Sequence, residues 1–162
     1  MDVFERMVEA NRAYAATFEG GGLPAPPRLR LAIVTCMDAR IDPMRAFGLE
    51  PGDAHVIRNA GGRVADALRS LCISQQLLGT EAVAIVHHTG CGMATFRDDD
   101  LRERLRAQGV VADHVAFLPF RDVDQAVRDD IALYRSSPLV RQDIPVRGFV
   151  YDIDSGLLRE VV

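Results

Sequence analysis

Short apolar runs alternate with segments of helical spacing along most of this chain. Phe4, Met7, Val8, Asn11, Ala15 and Phe18 recur at helical intervals and predict a helix over residues 3–18 with one apolar stripe. That stripe must be covered by its own domain or by a second subunit. A Gly- and Pro-rich stretch over 20–27 then leads into an apolar, β-branched run over 29–35, which reads as a buried strand. The turn at 50–53 precedes a second short strand over 55–59. Val64, Ala67, Leu68, Leu71, Gln75 and Leu78 mark a long helix that Gly79 ends.

The pattern continues with a buried strand over 82–88, helices over 98–107 and 122–135, a strand over 145–152 and an edge strand over 157–162. Alternation of this kind predicts an α/β fold, with a mostly parallel central β-sheet flanked by helices. Ligands of such sheets gather beyond the carboxyl ends of the strands.

At 162 residues the chain fits a single domain, 1–162, large enough to bury a core without disulfides. Its 19 basic and 23 acidic side chains leave a net charge of −4, which argues against a nucleic-acid partner. No apolar run is long enough to span a bilayer, so no membrane partner is expected. The opening residues lack the pattern of a signal peptide. The three cysteines, Cys36, Cys72 and Cys91, are an odd count; together these features predict a cytoplasmic protein with reduced thiols.

Two of the predicted strands end in coordinating residues. The first runs into Cys36-Met37-Asp38-Ala39-Arg40, the second into His87-His88-Thr89-Gly90-Cys91. If the strands are parallel, both ends lie at one edge of the sheet, and Cys36 comes near His88 and Cys91. Two thiolates and an imidazole suit zinc, and three protein ligands leave a fourth position for water or substrate. Each half has a plainer reading, since a strand-end cysteine is often core; together they point to a metal. Arg40 is placed to hold the Asp38 carboxylate in a two-pronged pair that keeps it ionised.

Other features are read as structure. Asp98, Asp99 and Asp100 open a helix, where carboxylates complement the dipole. Cys72, between Leu71 and Ile73, reads as a packed helix residue. His55, His87 and His114 could relay a proton, but each is better read as a packing or hydrogen-bonding residue. The segment from Arg58 to Arg63, on its residues alone, reads as an anion-binding loop leading into a helix.

Cys36-Met37-Asp38-Ala39-Arg40, Arg58-Asn59-Ala60-Gly61-Gly62 and His88-Thr89-Gly90-Cys91 follow one another in an order and spacing that resemble the short members of the beta-class carbonic anhydrase family. The resemblance implies reversible hydration of carbon dioxide to bicarbonate and a proton, by water activated on zinc. It also implies that Cys36, His88 and Cys91 hold the zinc. By the same resemblance Asp38 and Arg40 would form the catalytic dyad, with Asp38 the fourth ligand when the site closes, and the segment from Arg58 to Arg63 would be scaffold for the zinc edge, with Arg58 placed to attract bicarbonate. It further implies a homodimer or dimer of dimers in which residues 1–27, the opening helix and linker, pack on the partner subunit. Carbon disulfide and carbonyl sulfide hydrolases resemble the same family. A non-catalytic zinc module, with Asp38 closing the metal, is the third reading. Two departures stand out: Ala39 replaces the serine of many members, and the chain has no Trp, the residue on which the family's noncovalent bicarbonate regulation depends.

Overall fold

A computed structural model describes all residues, 1–162. Its strands are β1 (Leu31–Cys36), β2 (Ala54–Asn59), β3 (Ala82–His88), β4 (Val146–Tyr151) and β5 (Leu158–Glu160). They form one sheet in the order β2-β1-β3-β4-β5. β1, β2, β3 and β4 run parallel, and β5 is antiparallel to β4. The helices are α1 (Val3–Ala15), α2 (Pro43–Ala46), α3 (Leu68–Leu78), α4 (Asp98–Arg106) and α5 (Val123–Ser136).

β1 and β3 are the central strands because their sequences are apolar at nearly every position, as burial on both faces requires. Ala32, Val34, Val83 and Ile85 meet Val64, Leu71 and Tyr134 in the main core. Ile33 and Val86, on the opposite face, pack with Leu49. Thr35 lies opposite Val86, so β1 and β3 end side by side.

Three sequence expectations need correction. The long helix does not start at Val64: residues Val64–Asp66 form a 3-10 turn, and α3 begins at Leu68. Val64, Ala67 and Leu71 are all buried, so both pieces bury the same side and one continuous period fits them. Cys72 is only half-buried, beside the exposed Ile73, because it lies off the inward face of Leu71 and Gln75. The opening helix stops at Ala15 rather than running to residue 18. Gly79 ends α3 as expected, in the left-handed conformation that glycine tolerates best.

Candidate metal centre

Cys36 is the last residue of β1 and His88 the last of β3, while Cys91 follows in the turn beyond. The ligand atoms of these three buried residues lie within 4.8 Å of one another. The two sulfurs are 3.9 Å apart. Zinc–sulfur bonds of about 2.3 Å at a tetrahedral angle would separate two sulfurs by about 3.8 Å, so the pair already stands at the right spacing.

The imidazole is also prepared. His88 Nδ1–H donates to the Thr89 carbonyl at 2.7 Å, which fixes the tautomer and leaves the Nε2 lone pair free. Nε2 is buried and has no hydrogen-bond partner. Such an orphan costs stability unless something occupies it, and a metal ion fits that need.

Hydrogen bonds gather around the sulfurs. Cys36 is pulled down to about 4 by the Cys91 thiol, by His88 and by the backbone N–H groups of Asp38 and Gly61. Cys91 is pushed up by sharing that hydrogen bond and by burial, although the Met93 N–H also donates to it. Burial works against a charged His88, but the Thr89 carbonyl and the nearby Cys36 sulfur and Asp38 carboxylate outweigh it and raise the pKa. The centre therefore holds one ready thiolate in a buried setting.

Asp38 is turned toward Arg40. Arg40 Nε and the Arg40 backbone N–H both donate to Oδ1 at 2.9 Å, and Nη2 donates to Oδ2 at 2.7 Å. This grip holds the carboxyl well below the usual carboxylate range, with the guanidinium bonds as the largest cause. Arg40 Nη2 also donates to the Gly90 carbonyl at 2.9 Å, tying the two ligand-bearing loops together. Asp38 Oδ2 lies 3.6 Å from His88 Nε2. Beside the centre opens a cavity of about 320 Å³ with walls from Met37, Ala39, Ala60 and Met93.

Arg58 serves as scaffold. Its Nε donates to the Cys36 carbonyl at 3.0 Å, and Nη2 donates to the carbonyls of Asp38 and Ile41 at 2.7 and 3.2 Å. Gly62 is pressed against β1, where a Cβ would stand 2.8 Å from the Thr35 carbonyl carbon and 2.9 Å from the Cys36 nitrogen. Two of the three histidines read as packing or hydrogen-bonding residues are so: His55 shares a hydrogen bond with Ser74 at 2.7 Å, and His87 bonds Asp130 at 2.9 Å. His114 sits on an exposed loop. Arg63 closes the segment read as scaffold, but Asp130, which it joins, carries no signal in the sequence, because no short motif links it to the site.

A family model described as carbonic anhydrase matches residues 31–158. Beta-carbonic anhydrase 1 of Mycobacterium tuberculosis is 42% identical over 162 residues, covering 99% of each chain. A carbonic anhydrase crystal structure from Streptococcus mutans superposes with a TM-score of 0.95 at 48% identity, over 100% of this chain and 99% of that one. The carbon disulfide hydrolase of Saccharolobus solfataricus is 32% identical, covering 83% of this chain and 78% of its own. The chain belongs to the beta-class carbonic anhydrase family.

Proposed function

We propose that this protein is a zinc-dependent carbonic anhydrase that hydrates carbon dioxide reversibly to bicarbonate and a proton. One observation carries the reading: a buried Cys36, His88, Cys91 set with an orphaned Nε2 stands beside a carboxylate that Arg40 grips and keeps ionised. Two thiolates and an imidazole favour zinc over harder cations. Zinc held there supplies a Lewis acid that makes water nucleophilic near neutral pH.

The chain's own residues do the rest. Asp38, ionised, is an acceptor only. Its Oδ2 takes the hydrogen bond of the attacking water and turns the oxygen lone pair toward the substrate carbon. Arg40 holds Asp38 from the far side and anchors it to the Gly90 carbonyl, so the acceptor is positioned before substrate arrives. Met37, Ala39, Ala60 and Met93 offer apolar walls suited to an uncharged, weakly polar gas. A carboxylate held by an arginine is not needed in a purely structural metal site, and this disfavours the non-catalytic alternative.

The same reading extends to assembly and place. Residues 1–27 form the arm of a single domain, and α1 packs on the partner of a homodimer or dimer of dimers; α1 itself buries no residue in its own chain. No helix is long and apolar enough to cross a membrane. The cytoplasm, where thiol ligands stay reduced, is the proposed location.

The test is a stopped-flow carbon dioxide hydration assay over a pH series, with zinc content measured on the same sample. Wild-type protein is expected to carry about one zinc per chain and to turn over. Asp38→Ala keeps the zinc and loses about a hundredfold or more in turnover. Carbon disulfide and carbonyl sulfide, offered to the same preparation, identify the gas preferred. Zinc-loaded protein inactive on carbon dioxide at every pH sinks the proposal.

A further inference from the structure

Behind the metal centre lies a second buried polar cluster that the mechanism does not use. Its middle is Asp130, on α5, 1% exposed. Arg63 donates to it twice, from Nε at 2.9 Å and from Nη2 at 3.2 Å. His87 Nε2 joins the same carboxylate at 2.9 Å. Phe120 stacks on the His87 ring at 5.6 Å and lies under the Arg63 guanidinium at 5.6 Å. A core of apolar residues would fill this space at less desolvation cost, so the retention of an ion pair here calls for a reason.

Each arm of the cluster leads to one ligand. Arg63 follows the Gly61-Gly62 turn, which is pressed on the Cys36 backbone. The Asn59 side chain grips the Arg63 backbone on both sides, accepting from its N–H at 2.7 Å and donating to its carbonyl at 2.9 Å, so the turn cannot move independently of Arg63. His87 precedes His88 in β3. The Phe120 N–H donates to the Met93 carbonyl at 3.1 Å, and Met93 lies in the 3-10 turn that Cys91 opens. Arg63 Nη1 also bonds the Leu118 carbonyl at 2.9 Å, fixing the segment that carries Phe120.

We propose that Asp130 is a positioning residue of the metal centre, holding the segments of Cys36, His88 and Cys91 in register through Arg63, His87 and Phe120. The inference rests on the metal-centre reading above. Asp130 touches no ligand; it acts by fixing the neighbours of all three. Outer partners of this kind typically set metal affinity within about ten- to a hundredfold.

The test compares wild type, Asp130→Asn and the apolar double variant Arg63→Met/Asp130→Leu as metal-loaded full-length protein. Tyr134→Phe is the control: it lies one turn further along α5, is equally buried, and loses a hydroxyl bonded to Gln75 and to the Arg141 carbonyl. Three readouts are taken: the rate of zinc transfer to a chromogenic chelator, the thiolate charge-transfer band of the cobalt-substituted protein, and the thermal melt. Both Asp130 variants are expected to release zinc at least about tenfold faster and to shift the cobalt band. Tyr134→Phe lowers the melt and leaves the other two readouts at wild-type values. If the Asp130 variants hold zinc and absorb as wild type does, or if Tyr134→Phe releases zinc as fast as they do, the positioning role is overturned. Wild-type protein that takes up neither zinc nor cobalt instead removes the metal-centre reading itself.

Discussion

The metal edge and α1 are built on opposite terms. At the edge, Cys36, His88 and Cys91 are at most 5% exposed, and their loops are clamped by Arg40, Arg58 and Gly62 from within the same chain. α1 has 13 residues and buries none, with Phe4 70% and Met7 63% exposed. It is nonetheless well started: Asp2 Oδ1 accepts from the N–H groups of Phe4 and Glu5 at 2.8 Å, and Glu5 returns the bond to the Asp2 N–H at 2.8 Å. Capping of this kind begins a helix, but one so short is marginal in water without packing. The three ligands and their clamps all come from one chain, whereas α1 buries nothing within it.

Glycine substitutions test that contrast most severely. Gly62 has φ +66, and a Cβ there meets backbone atoms of β1 that cannot yield. Gly62→Ala is expected to cost about 2–5 kcal/mol through strain and overpacking, with zinc content falling alongside the melt. Gly21, in the linker after α1, has nothing within 4 Å of its Cβ position. Gly21→Ala is expected to stay within about 0.5 kcal/mol of wild type. Denaturant titration of both variants decides the matter, and equal losses would remove the difference between the two regions.

The sequence makes the edge legible for the same reason that Gly62 is intolerant there. Apolar runs such as 31–34 and 83–86 can only be buried strands, and each delivers a coordinating residue at its end. Parallel pairing then puts both ends at one edge of the sheet, and the adjacency of β1 and β3 brings Cys36, His88 and Cys91 together. What the pattern hides is whatever depends on two distant segments with no shared period. Val64 and Leu71 keep one helical interval although a 3-10 turn interrupts the helix between them. Arg63, His87 and Asp130 look like an ordinary loop cation, a strand-end histidine and one carboxylate of α5. Only the packing of α5 over β3 turns them into a cluster. The order β2-β1-β3-β4-β5 is likewise absent from any local signal, since each crossover reads as another strand after another helix. The uncovered stripe of α1 was legible as a question, and a single chain leaves it unanswered.

Phe4 and Met7 carry that stripe. Phe4→Glu/Met7→Glu is expected to weaken the proposed homodimer by more than about a hundredfold, given about 1.5–3 kcal/mol for each apolar side chain that association would bury. The sheet and the metal edge should be unaffected, because neither residue touches them within the chain. Light scattering over a concentration series reads the first effect, and zinc content with circular dichroism reads the second. A variant that stays dimeric at wild-type concentrations shows that α1 faces solvent in the assembly too.

The smallest effect lies where the two regions join. Arg28, at the end of the linker, donates to Asp53 Oδ1 from Nε at 2.7 Å, and the Glu50 N–H donates to Oδ2 at 3.0 Å. Asp53 is buried, and its pKa is lowered, first by the Glu50 N–H and then by Arg28. A carboxyl whose folded pKa lies below its unfolded value, about 3.9, stabilises the fold fully above that value. That contribution disappears as pH falls through the folded pKa. Wild-type stability should therefore decline below about pH 4 more steeply than that of Asp53→Asn, which has no proton to gain. Urea titrations of both proteins at matched pH, from neutral downward, measure the two slopes, and acid release of metal is common to both. Parallel slopes would mean that the linker's attachment contributes nothing to acid sensitivity; a shallower slope in Asp53→Asn, with zinc content unchanged at neutral pH, places the cost at the base of the arm and not at the metal edge.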